Sequence, residues 1–530
     1  MADNDAGYVI AWPGTDTFQA HKPSIHPSDR SGDHMNYDLR RTGARVIAAA
    51  RGPHHRMLID AEWAGASSGK VFDVLNPATG GIIATVPQGA GAEVDAAVYA
   101  ARAAFAGWRR TTPEQRSRAL TAVADAIETE AQDIATVAAQ ETGNALRTQC
   151  VPEVAQAAAF ARYFAGTAAE LKGTTTPISS DVLNYTLREP LGVVAAVIPW
   201  NTPVALAALK ISMALCTGNT IVLKAAEDAP LATLHLAEIF RRHTPAGVVN
   251  VLTGFGPECG AMLVNHPDVD KLSFTGSTAV GKEIMKDASQ RLLPVSLELG
   301  GKNPAIVFPD SDSADVARGV LAGMRFGRQG QSCTAGSRLF VHEDVFESFV
   351  EKLVEVTREL HVGDPLDDST DMGSLINGKQ YERVRQFVIE AVTSGAKLRL
   401  GSTPEAADGS KGYFMSPVVL TDVDPTWRVA REEIFGPVLV VIPWRDWDAV
   451  VDMANDSHYG LAAYVWCRDG SLALRTAHAI DSGWVQINRG LGQLPGMTYG
   501  GFKESGLGAE CSSEAAIAAY TRGKTVTVGL

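Results

Sequence analysis

The sequence has few cysteines and no long apolar run. Six cysteines are spread over 530 residues without a Cys-x-x-Cys pair, at Cys150, Cys216, Cys259, Cys333, Cys467 and Cys511. A chain of this size needs no disulfide framework, so this spacing favours a reduced, cytoplasmic compartment. No apolar stretch reaches the roughly 18 residues of a membrane-spanning helix, and the polar N-terminal region lacks the apolar core of a signal peptide. We therefore expect no membrane association.

Positive charge is also scarce. The 47 Lys and Arg residues are outnumbered by 60 Asp and Glu residues, which gives a formal net charge of −13. Nucleic-acid binding needs clustered positive charge, so no nucleic-acid partner is expected. A nucleotide cofactor is still compatible, because backbone N–H groups at a helix N-terminus can bind its phosphates. The histidines of residues 1–56 are irregularly spaced, as on a solvated surface, and no metal site is predicted.

Short β-branched runs alternate with helical stretches over residues 193–298. This alternation predicts right-handed βαβ units around a buried parallel sheet, and a second set starting at Asn303 makes the fold class α/β. Residues 1–56 lack sustained periodicity and are interpreted as an N-terminal extension. Two β-rich stretches, 185–189 and 525–528, are predicted to be exposed strands of the kind that often pair with another subunit.

Cys333 is the candidate nucleophile. It lies in a loop bounded by Gly330 and Gly336, just before a predicted strand. A reactive thiolate needs an accessible and polar site, which such a loop can present. The alternative is that Cys333 is a small buried hydrophobe, the commonest role of a single cysteine.

Two further polar residues stand at predicted strand ends. Glu298 ends an apolar strand before the pair Gly300 and Gly301, and Asn201 ends the first strand of the alternation. Sites form at the carboxyl ends of parallel strands, where partial desolvation raises the pKa of a carboxyl to a value suited to a general base. The Asn201 amide can bind an oxyanion together with a backbone N–H. The alternatives are that Glu298 only caps a strand and that Asn201 serves a turn.

A nucleotide site is predicted at neighbouring strand ends. Gly276 allows close backbone approach, and Ser277 and the free N–H groups of the following helix can hold a pyrophosphate. Gly256 lies in a second, weaker turn of this kind, and neither turn has the G-x-G-x-x-G pattern. Lys224 and Glu227 follow another strand, where an acid accepts from a ribose 2′-OH and repels a 2′-phosphate. This favours NAD over NADP.

These segments, in this order, closely resemble the aldehyde dehydrogenase superfamily, whose non-acylating members use NAD(P). The resemblance extends from about Met57 to Leu530. It is carried by segments 198–201, 224–227, 274–277, 298–302, 330–333, 432–437 and 500–506.

The resemblance implies a domain organisation. A Rossmann-type cofactor domain would comprise residues 57–172 and 192–300, followed by an α/β catalytic domain of residues 301–503. Residues 173–191 and 516–530 would form a β-flap oligomerisation segment. The family forms dimers or tetramers, so a homo-oligomer is implied, here a homotetramer.

The resemblance also implies catalytic roles. Cys333 would attack an aldehyde to form a thiohemiacetal, whose oxyanion is stabilised by Asn201 and the Cys333 N–H. Hydride transfer to the nicotinamide would leave a thioester, and Glu298 would activate the water that hydrolyses it. Lys210 and Glu510 match positions linked to a proton relay near this base.

NAD is the implied cofactor, with NADP as the alternative. The residues implied in cofactor binding are Ile198, Pro199, Trp200, Lys224, Glu227, Gly256, Gly276, Ser277, Leu299, Glu433 and Phe435.

Departures from the family pattern bear on the substrate. Thr202, Leu206 and Leu209 stand where enzymes for small aliphatic aldehydes often carry aromatic residues or methionine. Residues 488–499 form a slightly longer stretch than usual and include Arg489. Less aromatic lining favours a bulky or ring-bearing aldehyde. Arg489 either pairs with a substrate carboxylate or faces solvent.

Two other functions are alternatives to NAD-dependent aldehyde oxidation. A CoA-acylating semialdehyde dehydrogenase would transfer the acyl group to CoA, but such members typically lack the Glu298 base. A non-catalytic protein could reuse the fold, since fold alone does not fix function. The joint presence of Cys333, Glu298 and Asn201 argues against it.

Overall fold

The computed structural model describes residues 55–530, so nearly all of the predicted N-terminal extension, 1–56, lies outside the described residues. The strands are β1 (Met57–Ile59), β2 (Glu62–Ala64), β3 (Val71–Leu75), β4 (Ile82–Pro87), β5 (Thr175–Ser179), β6 (Val182–Pro190), β7 (Val193–Val197), β8 (Thr220–Lys224), β9 (Val249–Leu252), β10 (Lys271–Thr275), β11 (Val295–Glu298), β12 (Pro304–Val307), β13 (Arg338–His342), β14 (Lys397–Leu400), β15 (Val418–Thr421), β16 (Val438–Trp444), β17 (Tyr459–Gly460), β18 (Ala462–Trp466), β19 (Trp484–Ile487), β20 (Phe502–Lys503), β21 (Gly506–Leu507) and β22 (Thr521–Gly529).

The α-helices alternate with these strands. They are α1 (Gly91–Trp108), α2 (Pro113–Thr129), α3 (Ala131–Thr142), α4 (Val151–Thr167), α5 (Pro203–Cys216), α6 (Leu231–His243), α7 (Ala261–Asn265), α8 (Thr278–Ser289), α9 (Ala314–Met324), α10 (Phe346–Arg358), α11 (Gly378–Thr393), α12 (Arg428–Arg431), α13 (Trp447–Asn455), α14 (Gly470–Ala479) and α15 (Ser513–Tyr520). Within residues 55–530, no helix has both the length and the apolar character needed to cross a membrane.

The first sheet has eight strands in the order β2-β1-β9-β8-β7-β10-β11-β21. Its five central strands are parallel to one another, and they are β9, β8, β7, β10 and β11. The parallel part of the sheet begins with β7 and continues outward to β8 and β9. The chain then returns and places β10 on the other side of β7. This reversal creates a crevice at the carboxyl ends of the strands, where ligands bind in such folds.

Both faces of this sheet are covered, which explains its continuous apolar strands. Along β7, Val194 and Ala196 pack into one core with α2 to α6, whereas Val193 and Ala195 pack into another with α1. The two cores reflect the period-two alternation of a strand buried on both sides.

The second sheet has seven strands in the order β14-β15-β16-β13-β12-β18-β19. Six of them are parallel, and only β14 is antiparallel to its neighbour. The second α/β set predicted from Asn303 corresponds to this sheet, whose first strand starts at Pro304.

The two predicted β-rich stretches pair with each other. Residues 185–189 lie in β6 and residues 525–528 in β22, and the strands are antiparallel with Val526 opposite Tyr185. Strand β5 completes this three-stranded sheet on the other side of β6 and is exposed at every position. The two stretches therefore pair with each other within the chain. Among the described residues, the outer edges of β5 and β22 have no further strand beside them.

A buried carboxylate orients the helix that follows the first strand end. Glu153 on α4 accepts hydrogen bonds from the backbone N–H of Val204 at 2.9 Å and of Ala205 at 3.3 Å, at the start of α5. These N–H groups have no partner inside the helix, and a negative charge there also favours the helix dipole. Burial raises the pKa of Glu153.

We predict that Glu153→Ala lowers the free energy of unfolding by about 2–4 kcal/mol, because it leaves buried N–H groups without an acceptor. The apparent thermal midpoint at a fixed scan rate measures this loss. The matched control is Glu128→Ala, which removes an exposed carboxylate paired with Arg162 at 2.8 Å. An exposed pair contributes at most about 1 kcal/mol. Equal midpoints for the two variants would contradict the capping role.

Candidate active site

The predicted polar residues converge on the carboxyl edge of the first sheet. Asn201 follows β7, Lys224 ends β8, Gly256 follows β9, Ser277 follows β10, and Glu298 ends β11. Because these five strands are parallel and adjacent, their ends share one edge. The structure thus brings together residues that lie up to 97 positions apart, from 201 to 298.

The Cys333 loop is fixed by a side chain that sequence reasoning missed. The Asn303 Nδ2 donates to the carbonyl oxygen of Cys333 at 2.7 Å and to that of Ala335 at 2.9 Å, while its Oδ1 accepts from the N–H of Ala462 at 2.9 Å. Asn303 directly follows the 298–302 segment, which is the one signal that could have identified it. Its three hydrogen bonds hold the loop against the second sheet.

A side-chain donor lies beside the Cys333 loop. The Asn201 Nδ2 donates to the carbonyl oxygen of Gln331 at 3.0 Å, two residues before Cys333. The backbone N–H of Cys333 makes no hydrogen bond to any of residues 55–530. Both groups are donors of the kind that can bind an oxyanion, and that role stays a prediction.

The Cys333 thiol is partly exposed but surrounded by protein. Burial raises its pKa to about 11, while a hydrogen bond with Tyr499 acts in the opposite direction. The Tyr499 hydroxyl lies 3.8 Å from the Cys333 Sγ. Tyr499 ends the 488–499 stretch, and no local sequence motif marks its proximity to the sulfur.

Glu298 is nearly inaccessible, with 4% of its surface exposed. Its Oε2 has no hydrogen-bond partner among the described residues. Burial raises its pKa well above the usual range, and the nearby charge of Glu510 raises it further. A raised pKa makes this carboxylate a stronger proton acceptor, as the role of a general base requires.

Lys210 and Glu510 form a buried ion pair behind this base. The Lys210 Nζ lies 2.8 Å from the Glu510 Oε1 and 2.9 Å from the Ser273 Oγ. The Ser273 hydroxyl also lies 3.2 Å from the same Glu510 oxygen. The positive charge of Lys210 lowers the pKa of Glu298, whereas the negative charge of Glu510 raises it. The pair is therefore electrostatically coupled to the base.

Glu433 and two aromatic rings line another part of the crevice. The Glu433 Oε1 accepts from the Gly301 N–H at 3.0 Å, and burial raises the pKa of this carboxyl to about 7. A side chain at Gly300 would collide with the Glu433 carboxylate, which would then have to move. The ring of Phe435 meets that of Trp200 edge to face, with centroids 5.3 Å apart.

The remaining strand ends fit a dinucleotide. Ser277 caps the N-terminus of α8 and is exposed, so this helix terminus is accessible to a ligand. The Lys224 Nζ contacts the Glu227 Oε2 at 2.6 Å, which places a carboxylate and an ammonium at the end of β8. Gly256 has open space where a side chain would stand. These donors and acceptors suit a pyrophosphate and a ribose.

Not every predicted cofactor residue presents its side chain to the crevice. Ile198 and Leu299 have side chains buried in the two cores of the first sheet, so only their backbone groups are available to a ligand. Pro199, which follows Ile198, is half-buried.

The same fold occurs in known proteins. The family model described as Aldehyde dehydrogenase family matches residues 63–526. Hydroxyisobutyraldehyde dehydrogenase of Mycolicibacterium austroafricanum is 41% identical over 475 residues, which cover 89% of this chain and 94% of that protein. Retinal dehydrogenase 2 of Homo sapiens is 40% identical over 478 residues, covering 89% and 91%. The NAD+ complex structure of an aldehyde dehydrogenase from Bacillus cereus aligns with a TM-score of 0.87 at 40% identity, covering 90% of this chain and 96% of that one.

The chain belongs to the aldehyde dehydrogenase family. At the level of the family, the predicted α/β fold, the enzyme class and NAD(P)-dependent aldehyde oxidation are confirmed. The limits of the predicted domains and the roles of single residues stay predictions.

In this aldehyde dehydrogenase, Leu206, Met497 and Trp484 are partly buried and pack against the same core as Cys333. Leu494, on the 488–499 stretch, is 58% exposed.

The other predicted substrate residues differ in exposure. Thr202 and Leu209 are buried. Arg489 is exposed and makes no ion pair with any residue between 55 and 530. Its pairing with a substrate carboxylate stays a hypothesis.

We predict that Asn303→Asp lowers kcat about tenfold or more and reduces the thermal midpoint, because a carboxylate would face two carbonyl oxygens that now receive N–H donors. Steady-state kinetics and thermal unfolding of the same preparation measure both effects. Asn265→Asp, at an exposed position on α7, is the control and should leave kcat within about twofold. Retention of wild-type kcat by Asn303→Asp would show that the amide does not hold the loop.

Proposed function

We propose that this aldehyde dehydrogenase oxidises a bulky or ring-bearing aldehyde to its carboxylic acid with NAD, using Cys333 as nucleophile and Glu298 as general base. The observation that carries the proposal is the convergence of the Cys333 loop, two N–H donors and a buried carboxyl at one sheet edge. The relative from Bacillus cereus is described as an NAD+ complex, which supports the choice of cofactor.

The first step uses the Cys333 loop. The Cys333 thiol loses its proton to solvent, and the thiolate attacks the aldehyde carbon. A C–S bond forms and the carbonyl electron pair moves onto oxygen. The Asn201 amide and the Cys333 N–H stabilise this oxyanion, as preorganised donors do in acyl-transfer enzymes. When bound, NAD would supply the acceptor for the hydride that leaves the thiohemiacetal carbon.

The second step uses Glu298. Its carboxylate takes a proton from a water molecule, and the resulting hydroxide attacks the thioester, releasing the acid and the Cys333 sulfur. Burial raises the pKa of Glu298, so the proton is accepted readily. The Lys210–Glu510 pair, coupled to this carboxyl by charge, provides the route by which the proton leaves.

The remaining residues of the crevice would hold the cofactor. Lys224 and Glu227 would bind the adenosine ribose, and Ser277 with the α8 N-terminus the pyrophosphate. Glu433 would bind the nicotinamide ribose, beside the ring of Phe435. The acidic Glu227 favours NAD over NADP because it repels a 2′-phosphate.

The departures from the family pattern at Thr202, Leu206 and the 488–499 stretch support a bulky substrate. Leu206 is partly buried against the same core as Cys333, and Leu491 and Leu494 are exposed. Two relatives are named for hydroxyisobutyraldehyde and for retinal, so related enzymes are named for aldehydes of very different size.

We also propose a homotetramer in a reduced cytoplasm. Within residues 55–530, the outer edges of β5 and β22 pair with no further strand, so their backbone groups can extend the sheet in a second copy. All six cysteines are free, including the nucleophile, which suits a reducing compartment.

We predict that Glu298→Gln forms roughly one NADH per site in a burst and then turns over about 100-fold more slowly or less. The amide preserves shape but cannot accept the proton of water, so acylation proceeds and thioester hydrolysis stalls. Stopped-flow absorbance of NADH measures both phases.

The control is Glu504→Gln, which changes an exposed carboxylate near β21 and should show no burst followed by stalling. Steady-state turnover of Glu298→Gln at the wild-type rate would remove this residue from the hydrolytic step.

We predict that Glu227→Gln raises the ratio of kcat/KM for NADP to that for NAD about tenfold, since the change removes the repulsion of a 2′-phosphate and frees Lys224 from its ion pair. Initial rates with each cofactor measure the ratio. Glu283→Gln, exposed on α8, is the control. An unchanged ratio would place the adenosine ribose elsewhere.

A further inference from the structure

One phenol hydroxyl is directed at the sulfur of the nucleophile. The Tyr499 hydroxyl lies 3.8 Å from the Cys333 Sγ, within hydrogen-bond distance for sulfur. Only 3% of Tyr499 is exposed. Among residues 55–530, this sulfur is the only hydrogen-bond partner of that hydroxyl.

The position of this hydroxyl is fixed by the backbone. Tyr499 and Glu510 form an antiparallel bridge, in which the Tyr499 N–H donates to the Glu510 carbonyl at 3.1 Å and the Glu510 N–H donates back at 2.7 Å. The Tyr499 ring also meets the Trp484 ring edge to face, with centroids 5.9 Å apart. The backbone bridge to Glu510, the carboxylate of the proposed proton relay, therefore also holds the Tyr499 phenol next to the sulfur.

We propose that Tyr499 is a catalytic residue whose hydroxyl donates a hydrogen bond to the Cys333 sulfur and thereby favours its thiolate. This rests on the proposed role of Cys333 as nucleophile. A thiolate has no hydrogen, so the phenol must be the donor once the thiol has lost its proton to solvent. No proton moves to or from Tyr499, which only stabilises the charge on sulfur.

The surroundings of the sulfur make this donor important. Burial is the main effect that raises the pKa of Cys333, and the carboxyls of Glu433 and Glu298 raise it further. Two groups act in the other direction, the Tyr499 hydroxyl through its hydrogen bond and the Arg328 charge. Of these two, only Tyr499 has a hydrogen bond to the sulfur.

The phenol itself stays protonated. Burial raises the pKa of Tyr499 well above its ordinary value, and a charge on Cys333 raises it further. Tyr499 is therefore a hydrogen-bond donor throughout the pH range in which the thiol begins to ionise. A phenylalanine here would keep the ring and its contact with Trp484 but lose the donor.

The test is the pH dependence of Cys333 alkylation by iodoacetamide, in wild type and Tyr499→Phe. The modified peptide is quantified by mass spectrometry. We expect the apparent pKa of the reaction to rise by about one unit in the variant, so alkylation at pH 8 slows about tenfold. The assay needs no aldehyde or NAD, so its outcome is independent of turnover.

The matched control is Tyr381→Phe, which removes a hydroxyl from a buried ring in the core of the second sheet. Its alkylation profile should coincide with that of the wild type. A Tyr499→Phe profile that also coincides with the wild type would overturn the proposal, even if KM for the aldehyde changed. Failure of the proposed function would show differently, as alkylation of Cys333 that leaves aldehyde oxidation intact.

Discussion

The Asn303 amide is the contact on which the site depends most. It lies between Glu298, which ends the parallel part of the first sheet, and Pro304, which starts the second. Its three hydrogen bonds join the crossing segment to the Cys333 loop and to β18. The nucleophile, carried by the second sheet, is thereby fixed against the strand ends of the first. Three satisfied bonds on one buried side chain define a single loop conformation.

The second constraint is electrostatic. Lys210 and Glu510 are almost completely inaccessible, and their direct contact compensates for part of the cost of removing two charges from water. The Ser273 hydroxyl bonds to both partners. Such a pair contributes little net stability. Its two charges act on the pKa of Glu298, which is the observation behind the proton relay proposed above.

The sequence allowed much of this arrangement to be predicted, because parallel strands have their carboxyl ends at one edge. Asn201, Ser277 and Glu298 could be assigned to a common site from the alternation of strands and helices alone. Asn303 and Tyr499 were missed because their roles depend on contacts across the chain. Tyr499 reaches Cys333 over 166 positions, and no local pattern records such a distance.

The ionisable groups of the crevice share one tendency. Burial raises the pKa of Cys333, Glu298 and Glu433 alike, because each charged form loses its hydration. Under the proposed mechanism, charge develops on sulfur and on the substrate oxygen as the reaction begins. Asn201, the Cys333 N–H and Tyr499 are the proposed donors to those atoms, and the fold holds Asn201 and Tyr499 beside the Cys333 loop before the reaction starts. Donors that are preorganised for transient charge lower the barrier more than they stabilise the ground state.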